Sequence, residues 1–256
     1  KTSVEFKYTN PISENSTYSV GLKGDYLKLP FKYNTSSVIN NIDYSETKNA
    51  AYFEFENQSE KFYYGIGLRS EFIEMKVDYL SLSNSQKNSF DKLLPSVYLE
   101  YGLSDTKSLS FSFSQNMLRP EFEDLKPFEE KYSETSSFIG NPNLKPIYVD
   151  GFNLAFSSSG NKITFLPSLF YQTFNDYWQK VTYETGEQLN GVNKVITTPV
   201  NLGKVNYYGL NINTTYRASN MLSFTSNINI YNLDQTGTFT TVNNANQTIL
   251  QNLYSV

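Results

Sequence analysis

The densest set of chemistry-bearing side chains lies in residues 119–146, "RPEFEDLKPFEEKYSETSSFIGNPNLKP", where Glu121, Glu123, Asp124, Glu129 and Glu130 share one short stretch. Carboxylates this close could capture a cation or act as an acid–base pair on a glycosidic bond. Their spacing matches neither a calcium loop nor a hydrolytic pair, so the plainer reading is a solvated acidic loop. Arg69 and Glu71, two apart in "GLRSEF", share one face of a strand and read as an ion pair. Tyr177 and Trp178 could stack on a sugar or chelate ring, or simply anchor a strand end at an interface. The sequence has no His and no Cys. Disulfides, thiolate or imidazole metal sites and a His-based proton relay are therefore excluded from this chain. No catalytic residue, cofactor site or metal site is expected. The net charge of -4, without a Lys/Arg run, leaves no nucleic-acid footprint.

The elements that must position these groups are strands. The chain holds 21 Tyr and 19 Phe against one Trp, while its mean hydropathy is negative. Many aromatics beside abundant Asn, Ser and Thr suit a sheet with one wet face and one aromatic, apolar face. The period is two nearly throughout. In "KSLSFSFSQNML" Leu109, Phe111 and Phe113 oppose Ser108, Ser110, Ser112 and Ser114, and "MLSFTSNINIYNL" repeats the pattern. Pro167 would confine its run to an edge strand in a soluble sheet. No stretch is long and apolar enough for a membrane-spanning helix, but a barrel strand needs only roughly 9–11 alternating residues. "SFDKLL" is too short to decide between helix and strand.

Connection lengths sort the chain further. Short polar turns fall near 10–16, 57–61, 104–108, 159–162 and 218–221. Longer links fall near 30–43, 77–92, 119–146, 185–195 and 234–248. Strict alternation puts every long link on one side of the sheet, as in outer-membrane barrels and for no reason in a soluble sandwich. The expected fold is all-β: an antiparallel up-and-down transmembrane β-barrel, of which residues 1–256 supply about ten to eleven strands in one domain. Its aromatic face would meet lipid, with Tyr177, Trp178, Tyr207, Tyr208 and Tyr216 as interfacial girdles. Pro120 should end strand pairing, and Pro142 and Pro146 should stiffen the return limb into a rigid rim at the mouth.

The 119–146 stretch also resembles a known signature. Arg119-Pro120, Leu125, Pro127-Phe128 and Gly140-Asn141-Pro142-Asn143-Leu144-Lys145-Pro146 are similar to the marker of outer-membrane β-barrels at the C-terminus of TonB-dependent receptors. "YTNPI", the run ending in Gly67-Leu68-Arg69 and Glu71, "LLPSVYLEYGL" and "YYGLNINTTYRASNMLSF" follow in matching order. Family members usually carry Glu where Ile147 and Asn153 stand, so the role of those acids does not transfer.

The resemblance implies a barrel of about twenty-two strands around an N-terminal plug, with this chain an arc of it within a longer polypeptide. It implies the outer membrane of a Gram-negative bacterium and uptake of a scarce nutrient, energised by the TonB complex through a segment outside this chain. Arg69 and Glu71 would then face the lumen or the plug. Implied partners are outer-membrane lipid and lipopolysaccharide, with a surface lipoprotein lid or the barrel-assembly machinery beside them. Two rival readings are a non-transporting barrel serving as structural partner or assembly client, and a soluble carbohydrate-binding sandwich.

Overall fold

The structure is a computed structural model that describes the backbone of residues 1–35, 38–80, 84–242 and 248–255, and side chains over 1–32, 41–80 and 85–237. Its elements are β1 (Thr2–Ser13), β2 (Ser16–Thr35), β3 (Val38–Gln58), β4 (Phe62–Tyr79), β5 (Asn84–Ser104) and β6 (Lys107–Leu118). The 119–146 link holds a one-turn helix α1 (Phe122–Leu125) and two short strands, β7 (Glu129–Lys131) and β8 (Ser136–Ile139). Then come β9 (Ile147–Ser159), β10 (Ile163–Leu189), β11 (Val192–Ser219), β12 (Leu222–Val242) and β13 (Thr248–Ser255). The main sheet runs β1-β2-β3-β4-β5-β6-β9-β10-β11-β12-β13. Every consecutive pair along it is antiparallel, with β6 pairing β9 directly across the long link. This is an up-and-down sheet of eleven strands among the described residues.

Register shows how alternation becomes two faces. Directly opposed residues carry one apolar row across the sheet: Tyr18, Phe55, Ile66, Val97, Phe113, Phe152, Tyr171 and Tyr208. Side chains alternate along each strand, so all eight project from one face, called here the outer face. Many of its large apolar side chains are open to the surroundings, among them Phe6, Leu22, Leu154, Leu169, Phe224 and Ile230. The opposite, inner face carries Lys7, Gly21, Tyr52 and Arg69 in one row and Ser112, Asn153, Phe170 and Gly209 in another.

The long links are mostly strand, which corrects the expected loops. β2 and β3 stay paired to Thr35 and Val38, β4 and β5 to Tyr79 and Asn84, and β10 and β11 to Leu189 and Val192. Residues 36–37, 81–83 and 243–247 of three of these links lie outside the described residues. The β10–β11 hairpin closes on Asn190 (φ 52) and Gly191 (φ 81), the doubly positive pair that a two-residue turn demands. At roughly 3.3 Å per residue, the 28 residues of β11 reach about 90 Å. An apolar belt of roughly 25 Å takes only a third of that length, so this hairpin projects far beyond it. "SFDKLL" is strand within β5.

Prolines mark where ladders part. The β5–β6 ladder begins at Ser96, just after Pro95. The β9–β10 ladder skips Leu166 and Pro167, although β10 is paired on both sides and is no edge strand. A residue without an N–H cannot serve a ladder on that side.

The buried apolar core lies on the inner face of the projecting hairpins, not inside the eleven-strand sheet. Ile42 and Tyr44 of β3 and Ile73, Met75, Val77 and Tyr79 of β4 meet Leu125 and Leu144 of the 119–146 link. Burying each of those leucines contributes about 1.5–3 kcal/mol, which is what holds a proline-broken segment against the wall.

Candidate functional site

The 119–146 link does not stand up as a rim. It folds back onto the inner face, and its marker residues are the ones that dock it. Arg119 binds Glu46 of β3 at 2.9 Å, and Pro120 and Pro146 are almost fully buried. Phe122 of α1 stacks on Phe31 at 4.5 Å, and Phe128 sits edge-on to Tyr79 at 5.2 Å. Gly140 passes so close to α1 that a Cβ there would lie 2.5 Å from the Lys126 carbonyl oxygen and 2.8 Å from that of Asp124. Asn141 donates its backbone N–H to the Asp124 carbonyl at 2.7 Å and its side-chain amide to the Pro199 carbonyl at 3.1 Å. The Pro142 carbonyl accepts from Gln86 and Asn88 of β5 at 3.0 and 2.6 Å. Leu144 is 1% exposed, whereas Pro127 remains at the surface. β8 completes the clamp by pairing parallel with residues 195–197 of β11.

The acids of this link act on cations of the protein itself. Lys126 is bound by Glu123 and by Glu130, the latter at 2.8 Å. Burial alone would lower the Lys126 pKa, but the two carboxylates outweigh it and the pKa is raised. Burial raises Asp124 above its ordinary carboxylate value, and Lys180, 3.6 Å away on β10, only partly offsets that. Among the described residues no group of acids could hold a metal ion.

Below the docked link, β1 and β3–β6 frame a recess of about 460 Å³ with many charged side chains in its lining. Arg69 and Glu71 meet here at 2.5 Å, and Lys48 joins the same carboxylate at 2.9 Å. Lys7 pairs with Glu54 at 2.9 Å and Lys23 with Glu5 at 3.3 Å. Tyr52 lies across Gly21, where a Cβ would collide with its ring. Its hydroxyl donates to Glu5 at 3.0 Å, and Lys7 and Arg69 stand 5.9 and 5.6 Å from the ring centre. These charges are cross-bonded within the wall.

A second recess, of about 350 Å³ on the inner face of β6–β12, has no charged residue in its lining. Ser112, Ser114, Asn153, Gln172, Asn211 and Asn229 surround the rings of Phe170 and Tyr207.

The expected girdle divides. Tyr208 and Tyr216 are on the outer face, in register with Tyr171 and Phe224. The Tyr171 hydroxyl donates to Asn206 at 3.0 Å, and the Asn232 amide donates to the Tyr208 hydroxyl at 3.0 Å. One pair above Phe152 and Tyr171, Asp150 takes a bond from Gln115 at 2.7 Å, so the outer face turns polar there. Tyr207, adjacent to Tyr208 in a strand, must point the other way and is on the inner face beside Phe170. Trp178 also leaves the girdle. Eight residues on from the inward Phe170, and past a bulge with Asp176 at φ 56, it packs against the inner core, and Tyr177 rests edge-on to Phe174 at 6.2 Å. Glu46, Lys48, Tyr52, Phe170 and Tyr231 were not singled out from sequence. Carrying the hairpin register across "NQSEK" from Arg69 would have found Tyr52.

The sequence of residues 1–255 matches the outer membrane protein beta-barrel family. A comparison with curated protein sequences finds no match. Among solved structures, the chain superposes on the FrpB iron transporter from Neisseria meningitidis (F5-1 variant) with a TM-score of 0.64 at 15% identity, covering 90% of this chain and 36% of that one. It superposes on the ferric citrate transporter FecA in its unliganded form at 0.63 and 15%, covering 91% and 35%. The Serratia marcescens hemophore receptor HasR, solved with its hemophore HasA and heme, gives 0.64 and 12%, covering 93% and 42%. The likeness is one of fold, to barrels of TonB-dependent receptors. This chain spans about a third to two-fifths of their length. It is a β-barrel chain of the Gram-negative outer membrane and belongs to the outer membrane protein beta-barrel family.

Proposed function

We propose that residues 1–256 form one arc of the wall of a TonB-dependent receptor that takes up a scarce nutrient across the outer membrane. The observation that carries this reading is the docked 119–146 link. It lies on the polar inner face, where an entering solute would meet it, and it is bonded to the wall on both sides by residues 46, 86, 88, 180, 199 and 201. The outer apolar face would contact lipid, with Tyr171, Tyr208 and Tyr216 at its margins and lipopolysaccharide around the projecting hairpins. Arg69 and Glu71 would brace the wall beside a plug. The TonB complex would act through a segment outside this chain, and a surface lipoprotein lid would meet the hairpin tips. The barrel makes no demand for a catalytic group.

The test is removal of the gene from its bacterium, followed by uptake of labelled iron chelates, vitamins and oligosaccharides at limiting supply. Loss of one uptake activity, with the same loss in a strain lacking TonB, is the expected result. Unchanged uptake of every class would overturn the proposal.

A further inference from the structure

Three aromatic side chains lie together on the inner face of β10–β12, away from the docked link. Phe170 of β10, Tyr207 of β11 and Tyr231 of β12 form a row, with ring centres 4.9 Å apart for the first two and 5.2 Å for the last two. Lipid does not explain them, because the lipid-facing row carries Tyr171 and Tyr208 instead. Phe170 and Tyr207 are half-buried, and Tyr231, on the part of β12 before its pairing with β13, is exposed. Gly209 sits opposite both Phe170 and Tyr231, and a Cβ there would come within 2.9 Å of the Phe170 ring. The glycine therefore clears a floor on which the ring lies flat.

Around this floor stand Asn153, Gln172, Asn211 and Asn229. None of the four makes a side-chain hydrogen bond within the described residues. Each amide offers two donors and an acceptor. Neutral amides beside two half-buried rings and the exposed Tyr231, with no charge in the lining, are matched to one ligand chemistry. The C–H face of a sugar ring is slightly positive and stacks on the negative face of an aromatic ring. Its hydroxyls, each both donor and acceptor, suit amides that are likewise both. An anionic chelate would find no counter-charge here.

We infer that the Phe170–Tyr207–Tyr231 row, with its four amides, is a binding site for a neutral saccharide on the inner wall. This rests on the receptor reading above and names the ligand class for it. The full-length protein, purified in detergent, is titrated calorimetrically with maltohexaose, cellohexaose and xylohexaose, and with ferric citrate as the anionic comparison. At least one neutral hexaose binds, and Tyr231→Ala and Tyr207→Ala each weaken it roughly tenfold. Tyr231→Phe retains binding because it keeps the ring, and the combined Lys7→Ala, Glu54→Ala variant leaves it unchanged. Tyr231→Cys adds a maleimide-reactive thiol to residues 1–256, which hold none, and the bound hexaose slows the labelling that this variant shows beyond the unsubstituted protein.

Failure of every hexaose to bind would overturn the inference, as would binding indifferent to both alanine variants or selective binding of ferric citrate. So would a Tyr231→Cys thiol that stays unreactive in the folded protein, because another part of the protein would then cover the row. The two proposals fail separately. Without hexaose binding but with lost uptake of another nutrient in the deletion strain, only the saccharide site falls. With hexaose binding but unchanged uptake, the transport reading falls.

Discussion

The recess on β1–β6 and the recess on β6–β12 adjoin at Ser114 on one face of one sheet and are built in opposite ways. In the first, Lys7, Lys23, Lys48, Arg69, Glu5, Glu54 and Glu71 are bound to one another, and the docked link closes the space above them. In the second, amides surround half-buried rings and make no side-chain hydrogen bond among the described residues. Both use a glycine to let a ring lie flat, Gly21 under Tyr52 and Gly209 under Phe170. The difference is one of completeness. Cross-bonded charges make a wall that holds its shape, whereas unbonded amides leave capacity for something that arrives.

If that contrast is right, the largest losses of stability belong to the closed side. Leu144→Ala empties a 1% exposed position at the seam between link and wall. It should cost about 2–5 kcal/mol, seen as lower thermal stability and faster proteolysis within 119–146. Asn211→Ala and Asn229→Ala on the open side should leave both readouts unchanged. Next comes Glu71→Gln, which strands Lys48 and Arg69 beside a group that no longer carries charge. A loss of about 2 kcal/mol is expected, and adding Lys48→Met should recover part of it in the same melting assay.

The two glycines give a finer comparison. Alanine at 209 meets the Ile230 carbonyl oxygen, part of a backbone that cannot move aside, while alanine at 21 meets only the Tyr52 ring, which can turn away. Gly209→Ala should destabilise by about 1–3 kcal/mol and Gly21→Ala by less, which paired melting curves would rank. The smallest effect is that of Asp124. Its folded pKa lies above the unfolded value because of burial, so the folded state binds the proton more tightly. Its contribution to docking is full below the unfolded value and is lost as pH rises through the folded one. Asp124→Asn should therefore make the link more protease-resistant at neutral pH and change nothing under acid conditions. A variant that behaves alike at both would show that Lys180 already satisfies the carboxylate.

The two faces of the sheet were legible because a period of two is a local property: Phe111 and Ser112 are assigned by their own neighbours. The link boundaries were not, because "VTYET" alternates just as the spanning segments do, and a strand pattern carries no sign of where the lipid ends. The girdle was over-filled for a simpler reason. Tyr207 and Tyr208 are consecutive, so one of them had to face inward. The inward fold of 119–146 depends on contacts with residues 46, 79 and 199, which no spacing within the stretch reveals. Leu125 and Leu144, apolar points in a polar, proline-broken run, were the available hint.

Residues 119–146 make the family easy to recognise, and their positions in the structure are those that fix the link to the wall. Arg119, Gly140, Asn141, Pro142 and Leu144 are occupied by contacts within the chain. On the saccharide reading, recognisability and selectivity are carried by separate sets of residues. On that reading, changes at positions such as 153, 172, 211 and 229 would alter the ligand while the signature stays constant. Relatives that share the signature should then be sorted by the side chains opposite it rather than by the signature itself.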